Sequence, residues 1–315
     1  MRFLVTGANG FIGAALCRHL VSGSFSVHGL VRAEVPAAAG VVYHVGSLED
    51  GAFLRDSLAG VDCVIHLAGR AHVMREEGAD PLAAFRAVNR DGTLHLARIA
   101  QEVGVKRFVF ISSIGVNGGE TAGSAFTEDS QPAPHADYAV SKLEAEEGLR
   151  ALLAESSMEL VIIRPPLVYG IGAPGNFARL IKLISLGLPL PFGMVDNRRS
   201  LISLDNLVDF IAFSALHPRA AGELFLVSDG NDVSTPQMVR ALAQGMGRRP
   251  LFLPIPEWCL KYGAKLIGKE AMYKQLCGSL RVDSAKARDL LGWSPKFDTQ
   301  YELEKIGRFH ARGKS

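Results

Sequence analysis

Three things are scarce in this 315-residue chain: cysteine, net charge and long apolar runs. Its four cysteines, Cys17, Cys63, Cys259 and Cys277, lie far apart, with no CxxC pair and no histidine at metal-ligand spacing. That excludes a disulfide scaffold and a zinc ribbon, and the expected state is reduced thiols in a cytoplasmic protein. The nine histidines form no HxxxH pair, so no metal site is expected. Basic and acidic residues nearly balance, 34 against 32, for a net charge of +2, far from the basic excess of a dedicated nucleic-acid binder. No stretch reaches the ~18 uninterrupted apolar residues of a membrane-spanning helix. Met1-Arg2 leads into the short run Phe3-Leu4-Val5, without the extended basic start and long apolar region of a signal peptide.

What the chain has in quantity is apolar side chains, 48% of residues, and 33 glycines. With glycine counted and tyrosine left out, the apolar share is about 57%, above the ~45–50% usual for globular domains. A large core follows, and intrinsic disorder is excluded. At about 150 residues per domain the length allows two domains or one large α/β unit.

Short apolar runs alternate with helical patterns through the first half. Phe3–Thr6, Ser26–Arg32, Val41–Val45, Cys63–Ala68, Arg107–Ser112 and Leu160–Arg164 each read as a strand buried on both faces. Between them lie helical stretches at Ile12–Leu20, Ala52–Leu58, Leu82–Val103 and Tyr138–Glu155. Such alternation predicts an α/β fold, a doubly wound parallel sheet of the Rossmann type, with its ligand crevice beyond the carboxyl ends of the strands. After Arg164 the texture turns loop-rich, with a helix at Phe177–Leu186. Regular structure returns at Asn206–Leu216 (helix) and Glu223–Val227 (strand), a segment able to rejoin the sheet. The expected division is a dinucleotide-binding domain over 1–165, rejoined by about 200–230, and a smaller, mostly C-terminal substrate domain built from 166–199 and 231–315.

The loop Thr6-Gly7-Ala8-Asn9-Gly10-Phe11-Ile12-Gly13 joins the first strand to the first helix. Gly7, Gly10 and Gly13 permit a tight turn and a close backbone approach, so a pyrophosphate can sit on the helix N-terminus formed with Asn9, Phe11 and Ile12. At the end of the second strand stands Arg32, where NAD sites normally carry a carboxylate and NADP sites an arginine. The expected cofactor is therefore NADP(H), with NAD(H) as the alternative.

Tyr138 and Lys142 are spaced i, i+4 and share one helical face. An ammonium beside a phenol stabilises the phenolate, bringing tyrosine from its ordinary pKa near ~10 toward neutrality. Ser112-Ser113 closes a strand at the carboxyl edge, where a hydroxyl can bond the same substrate oxygen. That trio suits hydride transfer at a carbinol or carbonyl carbon without a metal.

With these motifs in view, the chain resembles the extended short-chain dehydrogenases/reductases of the NAD(P)-dependent nucleotide-sugar epimerase/dehydratase family over nearly its whole length. The likeness is carried by Thr6–Gly13, His66-Leu67-Ala68-Gly69, Asn89-Arg90-Asp91-Gly92-Thr93, Ser112-Ser113, Tyr138–Lys142, Arg164-Pro165 with Val168-Tyr169-Gly170, and Leu291-Gly292-Trp293-Ser294-Pro295. It implies Tyr138 as acid/base, Lys142 holding the nicotinamide ribose, and Ser113 on the sugar oxygen. It further implies that Leu67, Ala68 and Gly69 line the cofactor and that Asn176, Arg199 and Arg281 hold a nucleotide diphosphate. Phe192, in Pro191-Phe192-Gly193, falls in the loop that receives the base. Asn89 is expected to brace the central helix. Family members dimerise through helices matching Leu82–Val103 and Tyr138–Glu155, so a homodimer is implied.

Two departures from the family pattern narrow the reading. Ser47 stands where an aspartate commonly meets the adenine. Ile114-Gly115 follows Ser113 where 4,6-dehydratases carry Asp-Glu, which argues against a dehydratase. Asn197–Leu207 resembles bacterial polysaccharide-pathway members, such as those of O-antigen synthesis, that reduce UDP-4-keto-6-deoxy-N-acetylhexosamines. Together with Arg32 this makes an NADPH-dependent C4 reduction of such a UDP-sugar the expected activity, and an NAD-retaining UDP-sugar 4-epimerase (UDP-GlcNAc or UDP-glucose) the alternative. A non-catalytic dinucleotide sensor would be expected to lose Tyr138 or Lys142, and both are present. From Trp258 the chain carries an amphipathic helical tail, expected to lid the substrate domain rather than to meet a membrane or a partner.

Overall fold

A computed structural model describes residues 1–70 and 80–312. Its centre is a seven-stranded sheet in the order β3-β2-β1-β4-β5-β6-β9, every pairing parallel. The strands are β1 (Arg2–Thr6), β2 (Ser26–Val31), β3 (Val41–Val45), β4 (Cys63–His66), β5 (Arg107–Ile111), β6 (Glu159–Arg164) and β9 (Leu224–Leu226); β7 (Leu167–Tyr169) and β8 (Leu201–Ser203) form a separate parallel pair. The order reverses between β1 and β4, which opens a crevice at their carboxyl ends.

Each sheet face is covered by its own apolar cluster, as parallel strands require. Helices α1 (Phe11–Ser22), α7 (Leu204–Leu216) and α11 (Ala285–Leu291) cover one face, through Leu16, Leu20, Phe210, Ile211 and Leu291. The other is covered by α2 (Gly51–Ser57), α4 (Gly92–Glu102) and α5 (Asp137–Leu153), through Leu54, Leu96, Ile99 and Leu149. A third cluster joins α6 (Asn176–Leu186), α8 (Thr235–Gly245) and α12 (Thr299–Arg312), with Tyr169, Phe177, Met238 and Leu303 at its centre. Two short helices, α9 (Glu257–Leu266) and α10 (Glu270–Cys277), lie against its rim.

Two expectations need correcting. The strand at Val41–Val45 is not buried on both faces: β3 is a sheet edge with a single neighbour, and Val42 and Val45 stand exposed. The helix expected over Leu82–Val103 is α3 (Pro81–Arg86) followed by a π-turn, Ala87–Asp91, and then α4. Helical periodicity cannot reveal that widened turn, because it adds one residue without adding a breaker.

Buried polar pairs fix the elements that carry the site. Arg164 on β6 donates to Glu146 on α5 at 2.9 and 2.6 Å and to Asn117 at 2.9 Å. Asp229 accepts from Tyr169 Oη (2.6 Å), Ser203 N (3.0 Å) and Asn206 Nδ2 (2.7 Å), tying β7, β8 and α7 together.

A longer chain of bonds crosses the crevice. Thr6 Oγ1 accepts from the N–H groups of Leu67 (3.2 Å) and Ala68 (3.0 Å), which leaves its own proton for His66 Nδ1 at 2.7 Å. His66 Nε2–H then donates to Thr93 Oγ1 (2.9 Å), and Thr93 donates to Asn89 O (2.7 Å). This directionality assigns the neutral Nε2–H tautomer. Burial, aided by the Lys142 charge, brings the His66 pKa down to about 3, so the ring stays neutral.

The sign of the pH effect follows from that value. Between about pH 6.5 and 3 the unfolded state binds a proton on His66 that the folded state refuses, so stability falls as pH falls through that window. A His66→Gln variant should flatten the acid limb of stability against pH by up to about 1.4 kcal/mol per unit. Denaturant titrations at several pH values check this; an unchanged slope would refute the neutral buried ring.

Candidate functional site

The glycine loop has the shape that close nucleotide approach demands. Gly7 holds φ +65°, and a Cβ there would meet Ala68 N at 3.0 Å; a Cβ on Gly13 would run into the Gly7 carbonyl. Gly10 N donates to Gly7 O at 2.9 Å. No side chain among the described residues caps α1, so its first-turn N–H groups beside exposed Asn9 and Gly10 have no side-chain acceptor there and stand at the crevice. Ile12 packs into the sheet cluster, and Phe11 reaches the third cluster. Gly7 N bonds Leu30 O, which puts the end of β2 against the loop. Arg32, just beyond β2, is exposed and has no partner among the described residues.

Leu67, Ala68 and Gly69 leave β4 on the opposite side of the crevice. Asn89 Oδ1 accepts from Arg70 N (2.7 Å), while its Nδ2 donates to Arg70 O (3.1 Å) and Ser141 Oγ (3.0 Å). Asn89 thereby braces the π-turn to the β4 loop and to α5, and it points no polar atom outward. A Cβ on Gly69 would lie 3.2 Å from Asn89 Oδ1 and 3.5 Å from Lys142 Nζ, so these three converge.

Tyr138 and Lys142 occupy the first turns of α5. Lys142 is buried; its ammonium donates to Ile111 O at 2.9 Å and lies 4.5 Å from the Phe110 ring centre. Burial brings its pKa down to about 8, against the pull of Glu146. Tyr138 packs edge-on to Phe85 and has no hydroxyl partner among the described residues. The lowering of the tyrosine pKa expected from Lys142 is absent here: burial alone pushes the phenol up to about 12. The physical reason is that the ammonium is turned to a carbonyl and an aromatic face. Ser113 Oγ accepts from Gly115 N (3.1 Å), and a Cβ on Gly115 would touch both Ser113 Oγ and Ala139 Cβ at 3.4 Å, so the serine sits by the start of α5.

The residues assigned to a diphosphate are more dispersed. Arg199 is buried, donates to Gly278 O (2.8 Å) and Lys274 O (3.4 Å), leaves Nε unpaired and has no carboxylate among the described residues. Arg281 instead pairs with Asp232 (2.9 Å) and Gly123 O. Asn176 bonds Gln275 and accepts from Arg179 (3.1 Å). The Phe192 ring is buried in the third cluster, which leaves the backbone of its loop as the part able to meet a ligand. Among the described residues, no cluster of His, Cys, Asp or Glu could hold a metal, and no helix is long and apolar enough to cross a membrane.

Sequence reasoning placed Thr6, His66 and Thr93 within motifs but missed the bonds that make them a unit; Ser112, noted at its strand end, keeps a buried Oγ with no partner among the described residues. The motifs held these residues, but the meeting of two strand ends with the start of α4 is set by the fold. A groove of about 290 Å³ along Leu153, Leu160 and Leu224 lies at the far end of α5 and contains none of the site residues.

Comparison with known proteins gives this geometry its context. The model of the NAD dependent epimerase/dehydratase family matches residues 3–228. A Vibrio cholerae protein named UDP-glucose 4-epimerase is 46% identical over 295 residues, covering 93% of this chain and 90% of that one. An Escherichia coli O157:H7 protein named N-acetyl-alpha-D-glucosaminyl-diphospho-ditrans,octacis-undecaprenol 4-epimerase is 27% identical, covering 90% of this chain and 87% of its own. The fold matches the crystal structure of a Thermotoga maritima UDP-glucose 4-epimerase with UDP-glucose, with TM-score 0.81, 22% identity and full coverage of both chains. The chain is an enzyme of the NAD(P)-dependent oxidoreductase/epimerase type and belongs to the NAD dependent epimerase/dehydratase family.

Proposed function

We propose that the protein is a UDP-sugar 4-epimerase that retains NAD through the catalytic cycle. The observation that carries this reading is the 46% identity, over 93% of the chain, to a protein named UDP-glucose 4-epimerase. It replaces C4-ketone reduction as the leading reading.

The uncapped N-terminus of α1 and the glycine loop fit a pyrophosphate, so Gly7, Asn9, Gly10, Phe11, Ile12 and Gly13 would hold it, with Leu67, Ala68 and Gly69 on the other wall. When bound, the nicotinamide supplies a hydride acceptor that can return the hydride to the same carbon. Tyr138 takes the proton of the sugar's C4 hydroxyl as a phenolate in one half-reaction and returns it as a phenol in the other, so the bound state must offset the cost of ionising a phenol pushed up to about 12. Lys142 holds a positive charge beside Gly69 up to about pH 8. Ser113 supplies a second hydroxyl to the sugar oxygen. The sugar nucleotide is read into the cleft between the sheet's carboxyl edge and the part built from 166–199 and 231–315. There buried Arg199, with no ion-paired carboxylate among the described residues, suits a diphosphate. Helices α4 and α5 are offered as the face of a homodimer.

Arg32 favours a second reading. Exposed beside the glycine loop, it suits a 2′-phosphate and thus NADPH-dependent reduction of a UDP-4-keto-6-deoxy-N-acetylhexosamine.

Purified protein, without added cofactor, should interconvert UDP-glucose and UDP-galactose, or their N-acetylated forms, and release NAD on denaturation. Net oxidation of NADPH by a UDP-4-keto-6-deoxy sugar, with no interconversion, would replace the epimerase reading by the second. Tyr138→Phe should lower turnover by at least about 100-fold with cofactor binding nearly intact; retained turnover would remove the tyrosine from the chemistry. Under the epimerase reading, Arg32→Ala changes the affinity for NADH and NADPH alike. A loss about tenfold greater for NADPH would instead support the reductase.

A further inference from the structure

Helices α9 and α10, with the turn between them, are two-faced. Leu260, Tyr273 and Leu276 turn inward onto the third apolar cluster. Outward stand Trp258 (67% exposed), Tyr262 (66%), Leu266 (86%) and Ile267 (65%). Residues 258, 262 and 266 recur at four-residue spacing and so form one stripe. Beside it lie exposed Lys261 and Lys265, then Lys269 and Lys274, and none of the four pairs with a carboxylate among the described residues. The acids on the same elements are Glu257 and Glu270, with Glu120 packed near Gly278.

The segment that leads into α9, and the strand of chain beside it, carry further exposed apolar side chains. The segments around Leu190 and Leu253 run side by side, through Leu190 N to Leu251 O (2.8 Å), Leu253 N to Leu190 O (2.9 Å) and Gly193 N to Leu253 O (3.1 Å). Leu188, Met194, Leu251 and Leu253 on these segments are exposed too, with Arg248 and Arg249 just before them. Large apolar side chains exposed together in this way mark an interaction surface.

We propose that this face docks on an anionic lipid surface. An aromatic and aliphatic stripe flanked by lysines matches the headgroup boundary, where Trp and Tyr rings settle and Lys reaches the phosphates. Pairing with a second copy of the same face would bring four lysines against four lysines, which disfavours that occupant. The helix cannot span a bilayer, so it lies in the interface plane. Docking there depends on neither the substrate nor the cofactor.

The probe is vesicles of phosphatidylcholine with about one third phosphatidylglycerol, against pure phosphatidylcholine. Trp258 is its own reporter, because the second tryptophan, Trp293, is buried and bonded to Asp209 at 2.8 Å. The full chain should sediment with the anionic vesicles, with a blue shift in tryptophan emission that salt reverses. Leu266→Glu, at a site exposed enough to leave the fold intact by circular dichroism, should abolish both effects. Lys261→Ala, Lys265→Ala and Lys269→Ala combined should weaken binding by about fivefold per lysine. No sedimentation, equal binding to neutral vesicles, or self-association lost in Leu266→Glu without vesicle binding would each overturn the proposal.

Discussion

The site depends on a buried hydrogen-bond chain that runs from Thr6 through His66 and Thr93 to Asn89. Each group in it has its donors and acceptors matched, and none can change protonation without stranding the next. Thr6 ends β1, His66 ends β4, and Thr93 and Asn89 belong to the π-turn and the start of α4. The two strand ends that flank the crevice and the helix behind them are therefore one rigid body. Asn89 extends that body to Ser141 on α5, and so to the helix that carries Tyr138 and Lys142. The buried Arg164–Glu146 pair fastens the same helix to β6 one turn beyond Lys142. A helix held at both levels leaves Tyr138 and Lys142 little freedom to drift, as the proposed proton transfer at the sugar's C4 oxygen requires.

Much of the fold was legible because its causes are local. Strands buried on two faces read as unbroken apolar runs, and glycines at a strand-to-helix turn mark a place where bare backbone must meet a ligand or a neighbour. Several features depended on contacts that no window of sequence contains. The β7–β8 pair is three residues per strand, too short for alternation to register among the surrounding prolines and glycines. The exposure of β3 follows from its place at an edge, which is a fact of topology rather than of its own valines. Helix α8 did carry a sequence mark, Ser234-Thr235-Pro236-Gln237, a capping box that forms as such a pattern allows.

The same divide runs through the site. The spacing of Tyr138 and Lys142 announced a shared face, yet where the ammonium points was decided by Ile111 O and the Phe110 ring on another strand. Arg199 and Arg281 look alike in sequence. One is buried with no ion-paired carboxylate among the described residues, and the other is neutralised by Asp232, because the segments that meet them come from dozens of residues away.

The π-turn at Ala87–Asp91 has a consequence for how one helix serves two masters. Its additional residue rotates everything that follows by about 100° relative to an unbroken α-helix. Before it, α3 turns Phe85 and Arg86 toward Tyr138 and Glu144 on α5. After it, α4 turns Leu96, Ile99 and Ala100 into the sheet cluster. The widened turn acts as a phase shifter, letting a single continuous rod steady the reactive end of its neighbour and still seal the core. Deleting one residue there would bring the two halves into register and leave one of those tasks undone.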